Sequence, residues 1–411
     1  MRKINMRIRT QTPIWTGSSK GYSTSLKMSG VMGGLRHTFE ALIRKFGGHT
    51  CNITNNITNS TNSCIYEKES SICPACAIFG TTGISRAFKL NLDLPTVSVN
   101  LPETDNMIPN RNHKNEEYKF LCGLDSWIAS IIGTTEQIIK DHDQARRKLL
   151  NIKVAFSSEV ANMPVIITRN IHEINIEKII KYLLLFQSKY SGLGAKVRQG
   201  WGMFELIDVD KNQIKLDGES ELIKLIAKYQ YNEVHDTYFP NAKDMFAFEW
   251  QVNEDQRFNW DKKYTRRHPY KELGFALNFR FRRFIKFYKV DERGDLPIDQ
   301  QWKNIIHGSP WDGVPWKKSI AFVRVMFGKD NAGKNDKHAG LVGTSHLYQK
   351  DGNWFVKFFG RIPESYKYRS TGQKLTLDYN EVTDFLRNNM EENILNGVIP
   401  ETRNELTGGN L

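Results

Sequence analysis

Disulfides, membrane spans and the common catalytic signatures are all missing from this chain of 411 residues. Its five cysteines are too few to staple a protein of this length. Four of them, Cys51, Cys64, Cys73 and Cys76, cluster in the sequence while Cys122 stands apart, and in a reducing compartment such a cluster points to metal. No apolar run approaches the roughly 20 residues of a membrane-spanning helix. The opening stretch MRKINMRIRT alternates charge with Ile4, Met6 and Ile8, which predicts a strand and lacks the apolar centre of a secretory signal, so a cytoplasmic location is expected. Walker phosphate loops, HExxH helices and paired-carboxylate motifs are absent, as is a recognition helix of the kind DNA-binding regulators use.

Acidic residues are also in deficit. With 45 Asp and Glu against 58 Lys and Arg the formal charge is +13, and the pI is near 9.3. That much self-repulsion calls for an anionic partner, and nucleic acid is favoured because no basic amphipathic helix of the membrane-lying kind is present. The Asn-Ile-Thr and Asn-Ser-Thr triplets between Asn52 and Thr61 read as a polar loop, since no secretory signal precedes them.

The densest chemistry lies in CPACAIFGTTGISRAF, Cys73 to Phe88. A C-x2-C pair there precedes a turn carrying Gly80 and Gly83, and Arg86 and Lys89 follow at the entry to a strand. With Cys51 and Cys64 the spacing is C-x12-C-x8-C-x2-C, enough for a tetrahedral zinc site, with His49 available as a substitute ligand. Four reduced, loop-borne thiols are the plainer alternative. A second glycine cluster, GLGAKVRQGWG from Gly192 to Gly202, sets Lys196 and Arg198 among Gly192, Gly194, Gly200 and Gly202. Exposed backbone N–H groups and alternating charges suit a polyanion, and Trp201 can stack on a base. Here the alternative is a hairpin whose glycines serve turn geometry, with Trp201 in the core. The two glycine clusters together suggest RNA.

Hydrophobic periodicity places these motifs. After the first strand, Met32, Leu35, Phe39, Leu42, Ile43 and Phe46 fall at helical spacing over about 30–46, with Gly47 and Gly48 as the stop. Strand-like segments follow at 88–94, 152–156 and 165–168, then a helix at 176–186 and a last strand at 203–209. Strand, helix, strands, helix, strand is the ferredoxin-like order shared with RNA-recognition domains. The expected fold class is therefore α+β, two ferredoxin-like (RRM-like) domains with a glycine-rich loop and loop insertions. The first domain takes residues 1–215, a helical linker 216–245 and the second domain 246–411, where VMFG at Val325–Gly328 echoes AIFG at Ala77–Gly80 and a strand is expected at 345–348. Residues 401–411 are expected to fray. Between Arg257 and Lys289 eleven basic residues, Arg280 and Arg282 among them, interleave with aromatics, a pattern suited either to a strand presenting one face to a nucleic-acid backbone or to a solvated basic face.

The opening strand ending TPIWTG, the helix GGLRHTFEALIRKFGG, CPACAIFGTTGISRAF and GLGAKVRQGWGMFEL resemble, in this order, the RAMP superfamily of CRISPR-associated proteins. Within it the resemblance is to the subunit-one family of the type III-B (Cmr) RNA-guided effector complex. It covers about half the chain. His37 and Thr38 stand after Arg36, where the family usually has an aromatic pair. The resemblance implies a two-domain RAMP fold and a cytoplasmic RNA-binding subunit for antiviral defence. Such a subunit holds the 3′ portion of the guide RNA and the paired target beside other Cmr subunits, while cutting belongs elsewhere in the complex. Expected RNA contacts are Arg36, Arg86, Lys89, Lys196, Arg198, Gly192, Gly194, Gly200, Trp201, Arg280 and Arg282; the expected metal ligands are Cys51, Cys64, Cys73 and Cys76, on zinc. No catalytic residue is expected. The competing enzyme reading is a metal-independent RAMP endoribonuclease that processes repeat RNA, for which His37 or His346 would be the general acid or base.

Overall fold

The structure, a computed structural model, describes residues 2–16, 26–51, 64, 72–98, 153–157, 159–231, 240–252, 306–307, 341–345, 348–367, 374–389 and 404–407. Along the first part of the chain run β1 (Arg2–Thr10), α1 (Met28–Lys45), α2 (Pro74–Phe79), β2 (Phe88–Leu90), β3 (Thr96–Ser98), β4 (Lys153–Ala155), β5 (Ala161–Ile167), α3 (Ile176–Tyr190), β6 (Phe204–Ile207) and α4 (Lys211–Lys228). β1 forms because its side chains alternate: Met6, Ile8 and Thr10 are buried while Asn5 and Arg7 face solvent. Four strands make one sheet in the order β2-β5-β1-β6, with every neighbouring pair antiparallel. Counted within the sheet this is strand order 2-3-1-4 with a helix after the first and third strands, the split βαβ arrangement of a ferredoxin-like sheet.

The core lies between this sheet and α1 and α3. Leu35, Phe39, Leu42 and Ile43 of α1 and Ile176, Ile179, Ile180 and Leu183 of α3 pack on Ile8, Val165, Phe88 and Phe204. α1 stops where expected because Gly47 adopts φ 78°. Its N–H and that of Gly48 then bond back to Arg44 O and Ile43 O at 3.1 and 2.9 Å, a Schellman ending. α3 runs four residues beyond the expected end, to Tyr190, since Phe186, Gln187 and Tyr190 are buried too. It starts at Asn175, whose side chain accepts from Lys178 N–H at 3.3 Å. β5 begins before Pro164, not after it. The proline pairs with Asn5, and its carbonyl accepts from Asn91 N–H at 3.0 Å, so the missing donor leaves that side of the ladder intact. α4 covers much of the stretch expected as a linker; it lies on α3 through Leu222 and Leu225, both buried.

Later in the chain are β7 (Met245–Val252), β8 (Ile306–His307), β9 (Val342–Thr344), β10 (Tyr348–Lys350), β11 (Asn353–Arg361), β12 (Ser365–Lys367), β13 (Lys374–Leu377), α5 (Tyr379–Asn389) and β14 (Asn404–Thr407). A sheet in the order β10-β11-β7-β14, with β9 also on β11, is built on β7 and β11, whose alternate aromatic residues Phe246, Phe248, Trp250 and Phe358 form one buried cluster. The described residues of this half do not trace a second βαββαβ order. The frayed end expected after 401 is corrected in part, because Asn404–Thr407 pair with Glu249–Phe246 and extend the sheet. The VMFG echo, the basic run Arg257–Lys289 and His346 lie outside the described residues.

The two sheets meet through polar groups. Lys350 approaches Glu205 and Glu249 at 4.0 and 3.9 Å, and Arg9 approaches Asp351 at 3.7 Å. Deeper in, Lys357 is buried and its Nζ donates to Ser188 O at 2.6 Å. That carbonyl is one of the last four of α3, which have no partner within the helix, and the helix dipole there favours a cation. Burial pushes the Lys357 pKa down to about 8.

Lys357→Ala removes the stem and leaves the Ser188 carbonyl without this donor, and is expected to lower the unfolding free energy by about 1–3 kcal/mol, read from denaturant midpoints. In the unfolded chain the lysine keeps its proton up to 10.5, whereas the folded chain releases it near 8. The unfolded state therefore binds the extra proton between those values, and wild-type stability should gain a contribution as pH rises through that window that the alanine variant lacks.

Candidate metal centre and glycine loop

Four sulfurs converge behind α1. Cys73 is the residue before α2 and Pro74 opens that helix, a position where a missing N–H is harmless, so Cys73 and Cys76 stand one turn apart. Cys51 arrives just after the Gly48 stop, and Cys64 lies between it and Cys73 in the sequence. The four Sγ atoms lie within 4.8 Å of one another and all four residues are buried. Cys51 and Cys76 sulfurs are 3.4 Å apart and those of Cys73 and Cys51 3.7 Å, against about 3.8 Å for tetrahedral ligands on bonds of about 2.3 Å. Each is a free thiol. Cys73 N–H also donates to Cys64 Sγ at 3.2 Å. Thiols of Cys51, Cys64 and Cys73 donating to Cys76, with the Arg36 charge beside it, push its pKa down, while hydrogen bonding to Cys51 and burial push Cys73 up. His49 is exposed and is not among the converging ligands.

Arg36 faces this cluster. Its guanidinium donates to Glu40 at 3.0 Å, to Gly80 O at 3.1 Å and to Cys76 Sγ at 3.1 Å, with Cys51 Sγ at 3.9 Å. Only 18% of the side chain is exposed. The expected phosphate contact at Arg36 is thus replaced by inward bonds, which the one-turn spacing of Arg36 and Glu40 on α1 makes possible.

The loop 192–202 joins α3 to β6 by unusually close backbone contacts. A Cβ at Gly202 would lie 1.9 Å from Leu193 O, and one at Gly194 2.4 Å from Trp15 O; both residues also have positive φ. Gly202 N–H bonds Pro13 O, Ala195 N–H bonds Trp15 O and Gly200 N–H bonds Val197 O, at 2.8, 2.7 and 2.9 Å. The expectation of uncovered amides at the loop glycines is corrected at Gly200 and Gly202, whose N–H groups are used inside the protein. Gly192 is held as closely, its would-be Cβ 2.7 Å from Gly202 O. Trp201 is 3% exposed and its ring lies 6.2 Å from that of Trp15. It is a core residue, and the base-stacking expectation gives way to apolar burial.

Side chains, not amides, supply the charge of this region. Lys196 Nζ sits 4.8 Å over the Trp15 ring, and burial lowers its pKa to about 8. Arg198 rests its backbone against Gly343 of β9, where a Cβ would come within 2.5 Å of Arg198 Cα; burial and the neighbouring Arg361 lower its pKa to about 10. On α1, His37 keeps an exposed edge. Desolvation, then the charges of Arg198, Arg361 and Arg44, push its imidazole down to about 4. Arg361, at the end of β11, had no signal in the sequence, being a single basic residue far from any motif. Arg86 is exposed just before β2 and Lys89 on it, and Arg280 and Arg282 lie outside the described residues.

Gly202→Ala is expected to destabilise the protein by more than the roughly 1–3 kcal/mol of backbone strain alone, because the methyl also meets a carbonyl it cannot displace. Gly33→Ala, where nothing lies within 4 Å, should leave the melting temperature unchanged or raised.

The model of the RAMP superfamily matches residues 7–205, just under half of the chain. No curated protein matches it. Among solved structures the chain is similar to one from the type III-B Cmr-beta complex bound to cognate target RNA and AMPPnP, with 12% identity, 93% of this chain and 97% of that one covered, and a TM-score of 0.43. It is similar also to Cmr1 from Pyrococcus furiosus in its apo form, with 11% identity, coverage of 94% and 97% and a TM-score of 0.38. These are loose likenesses. The cysteine cluster, the glycine loop and most of the ferredoxin-like sheet fall inside the matched span, and over residues 7–205 this chain matches the RAMP superfamily.

Proposed function

We propose that this chain is a cytoplasmic RNA-binding subunit of a type III-B CRISPR effector complex, holding the 3′ portion of the guide RNA and the paired target beside other Cmr subunits. On this reading residues 1–215 and 246–411 are its two domains. The observation that carries the proposal is the net charge of +13 together with Arg198 of the glycine loop and Arg361 of β11 standing beside one another and beside His37 of α1. A chain this basic favours an anionic partner, and a phosphate backbone is one that lysine and arginine side chains contact directly. Arg86 and Lys89, exposed on the same RAMP span, extend the contact, and Arg280 and Arg282 are its candidates in the second half.

Binding without cutting is the reading the site favours. An imidazole held near 4 is neutral and weakly basic at pH 7, whereas general acid–base catalysis works best with a pKa near the working pH. Purified protein incubated with labelled repeat RNA in chelator should leave it intact. Specific fragments lost in His37→Ala would establish the nuclease reading instead.

For the binding itself, Lys196→Gln and Arg198→Gln are each expected to weaken RNA of any sequence and to flatten the log–log salt dependence by roughly 0.7 for a single-stranded contact. An unchanged slope removes that residue from the interface. Because Lys196 loses its proton near pH 8 in the free protein, affinity should fall between pH 7 and 9, and Lys196→Arg should hold it level.

The cysteine cluster is proposed to hold zinc in a structural role. All four ligands are sulfur, no ligand position is left to water, and the polar sequence between Cys51 and Cys64, which has few apolar residues, gains an anchor at both ends. Elemental analysis should return one equivalent of zinc per chain, and Cys73→Ser should lose most of it together with a drop in melting temperature. Freely titratable thiols with far less than one equivalent would leave the cluster as a loop.

A further inference from the structure

We propose that Arg36 is a working part of the metal centre: it neutralises a tetrathiolate through Cys76 and ties the bound cation to both α1 and the Gly80 turn. This rests on the zinc reading above and goes beyond it, since it names what stabilises the charge of the site and what the site holds in place.

A divalent cation on four thiolates carries a net charge of −2, which a buried location tolerates only with positive partners close by. Arg36 supplies the nearest. Its N–H groups reach Cys76 Sγ at 3.1 Å and lie 3.9 Å from Cys51 Sγ. Arg44, two turns further along α1, stands near Cys51 and Cys73 and is held by Pro240 O at 3.0 Å and by the Thr50 hydroxyl. Glu40 lies between the two arginines, at 3.0 Å from Arg36 and 4.0 Å from Arg44, and fixes how the first guanidinium is turned.

The geometry favours arginine specifically. Three separate acceptors, the Glu40 carboxylate, the Gly80 carbonyl and the Cys76 sulfur, are met by Nε and the two terminal nitrogens of one planar fork. A lysine ammonium in its place is a point charge on a flexible stem and cannot span all three. Through Gly80 the same group reaches a turn closed by paired bonds between Thr81 and Ile84 at 3.1 Å, directly before Arg86 and β2. Gly80 N–H in turn donates to Cys76 O at 2.9 Å. Metal, helix and turn thus share one cation, and the class of ligand the site suits is a soft divalent ion whose thiolates keep their full negative charge.

The test is metal affinity with the four cysteines untouched. Wild type, Arg36→Gln, Arg36→Lys and a surface control, Lys3→Gln, are loaded with zinc and competed with a chromophoric chelator, and each is also loaded with cobalt(II) for its sulfur-to-metal absorption. The expected result is that Arg36→Gln binds zinc about 10–100-fold more weakly, that Arg36→Lys recovers part of the loss, and that all four proteins keep a tetrathiolate cobalt spectrum. Equal zinc affinity in wild type and both Arg36 variants overturns the proposal. Should Arg36→Gln not yield folded protein, Arg36→Lys against wild type decides it by the same criterion. A wild type without the tetrathiolate spectrum sinks the zinc reading first and this proposal with it, an outcome distinct from normal wild-type binding with indifferent variants.

Discussion

The carbonyl of Leu193 occupies the space a side chain at residue 202 would need, and much of the molecule depends on that contact. It lets the chain leave α3, double back within one short loop and enter β6 beside β1. The same approach, repeated where Gly194 lies on Trp15 O, presses the loop against the residues that follow β1. Lys196 is thereby set over the Trp15 ring and Arg198 against β9. A loop that looked built to offer its amides to an anion spends several of them on its own fold. What remains is charge on the side chains of Lys196 and Arg198, carried by a backbone pinned by these close contacts.

The second organising feature is electrostatic. α1 carries Arg36, Glu40 and Arg44 at one-turn spacing along its flank, and these groups lie against the buried sulfurs of Cys51, Cys73 and Cys76. His37, the next residue after Arg36, looks the other way, toward Arg198 and Arg361. A single helix therefore has two basic neighbourhoods, one against the buried sulfurs and one, through His37, beside Arg198 and Arg361. Adjacent residues on a helix diverge by about 100°, which is what lets Arg36 and His37 meet different neighbours.

Much of the first half was legible because local signals agreed with the tertiary outcome. The 3.6-residue periodicity of 30–46, the period-2 alternation of β1 and the clustered cysteines each arise from one short segment burying one face or gathering one chemistry. Less was legible where the deciding neighbour was remote. Trp201 and its glycines have the same sequence whether the ring stacks on a base or packs on Trp15, and only the return of the chain past Trp15 selects the core. Residues 404–407 carry little apolar pattern, yet they pair with β7 because that strand presents an open edge.

The sequence by itself determined the α+β class, the βαββαβ order of the first unit, the basic balance and the presence of four sulfurs close enough in the chain to be gathered. These follow from periodicity, charge and residue type, which are properties of short stretches. Only the tertiary structure decided which way each polar group points: Arg36 toward Cys76, Lys357 into the end of α3, Arg361 beside Arg198. A long side chain has the same chemistry in every direction, and the choice of partner is made by elements that the fold brings together from far apart in the chain.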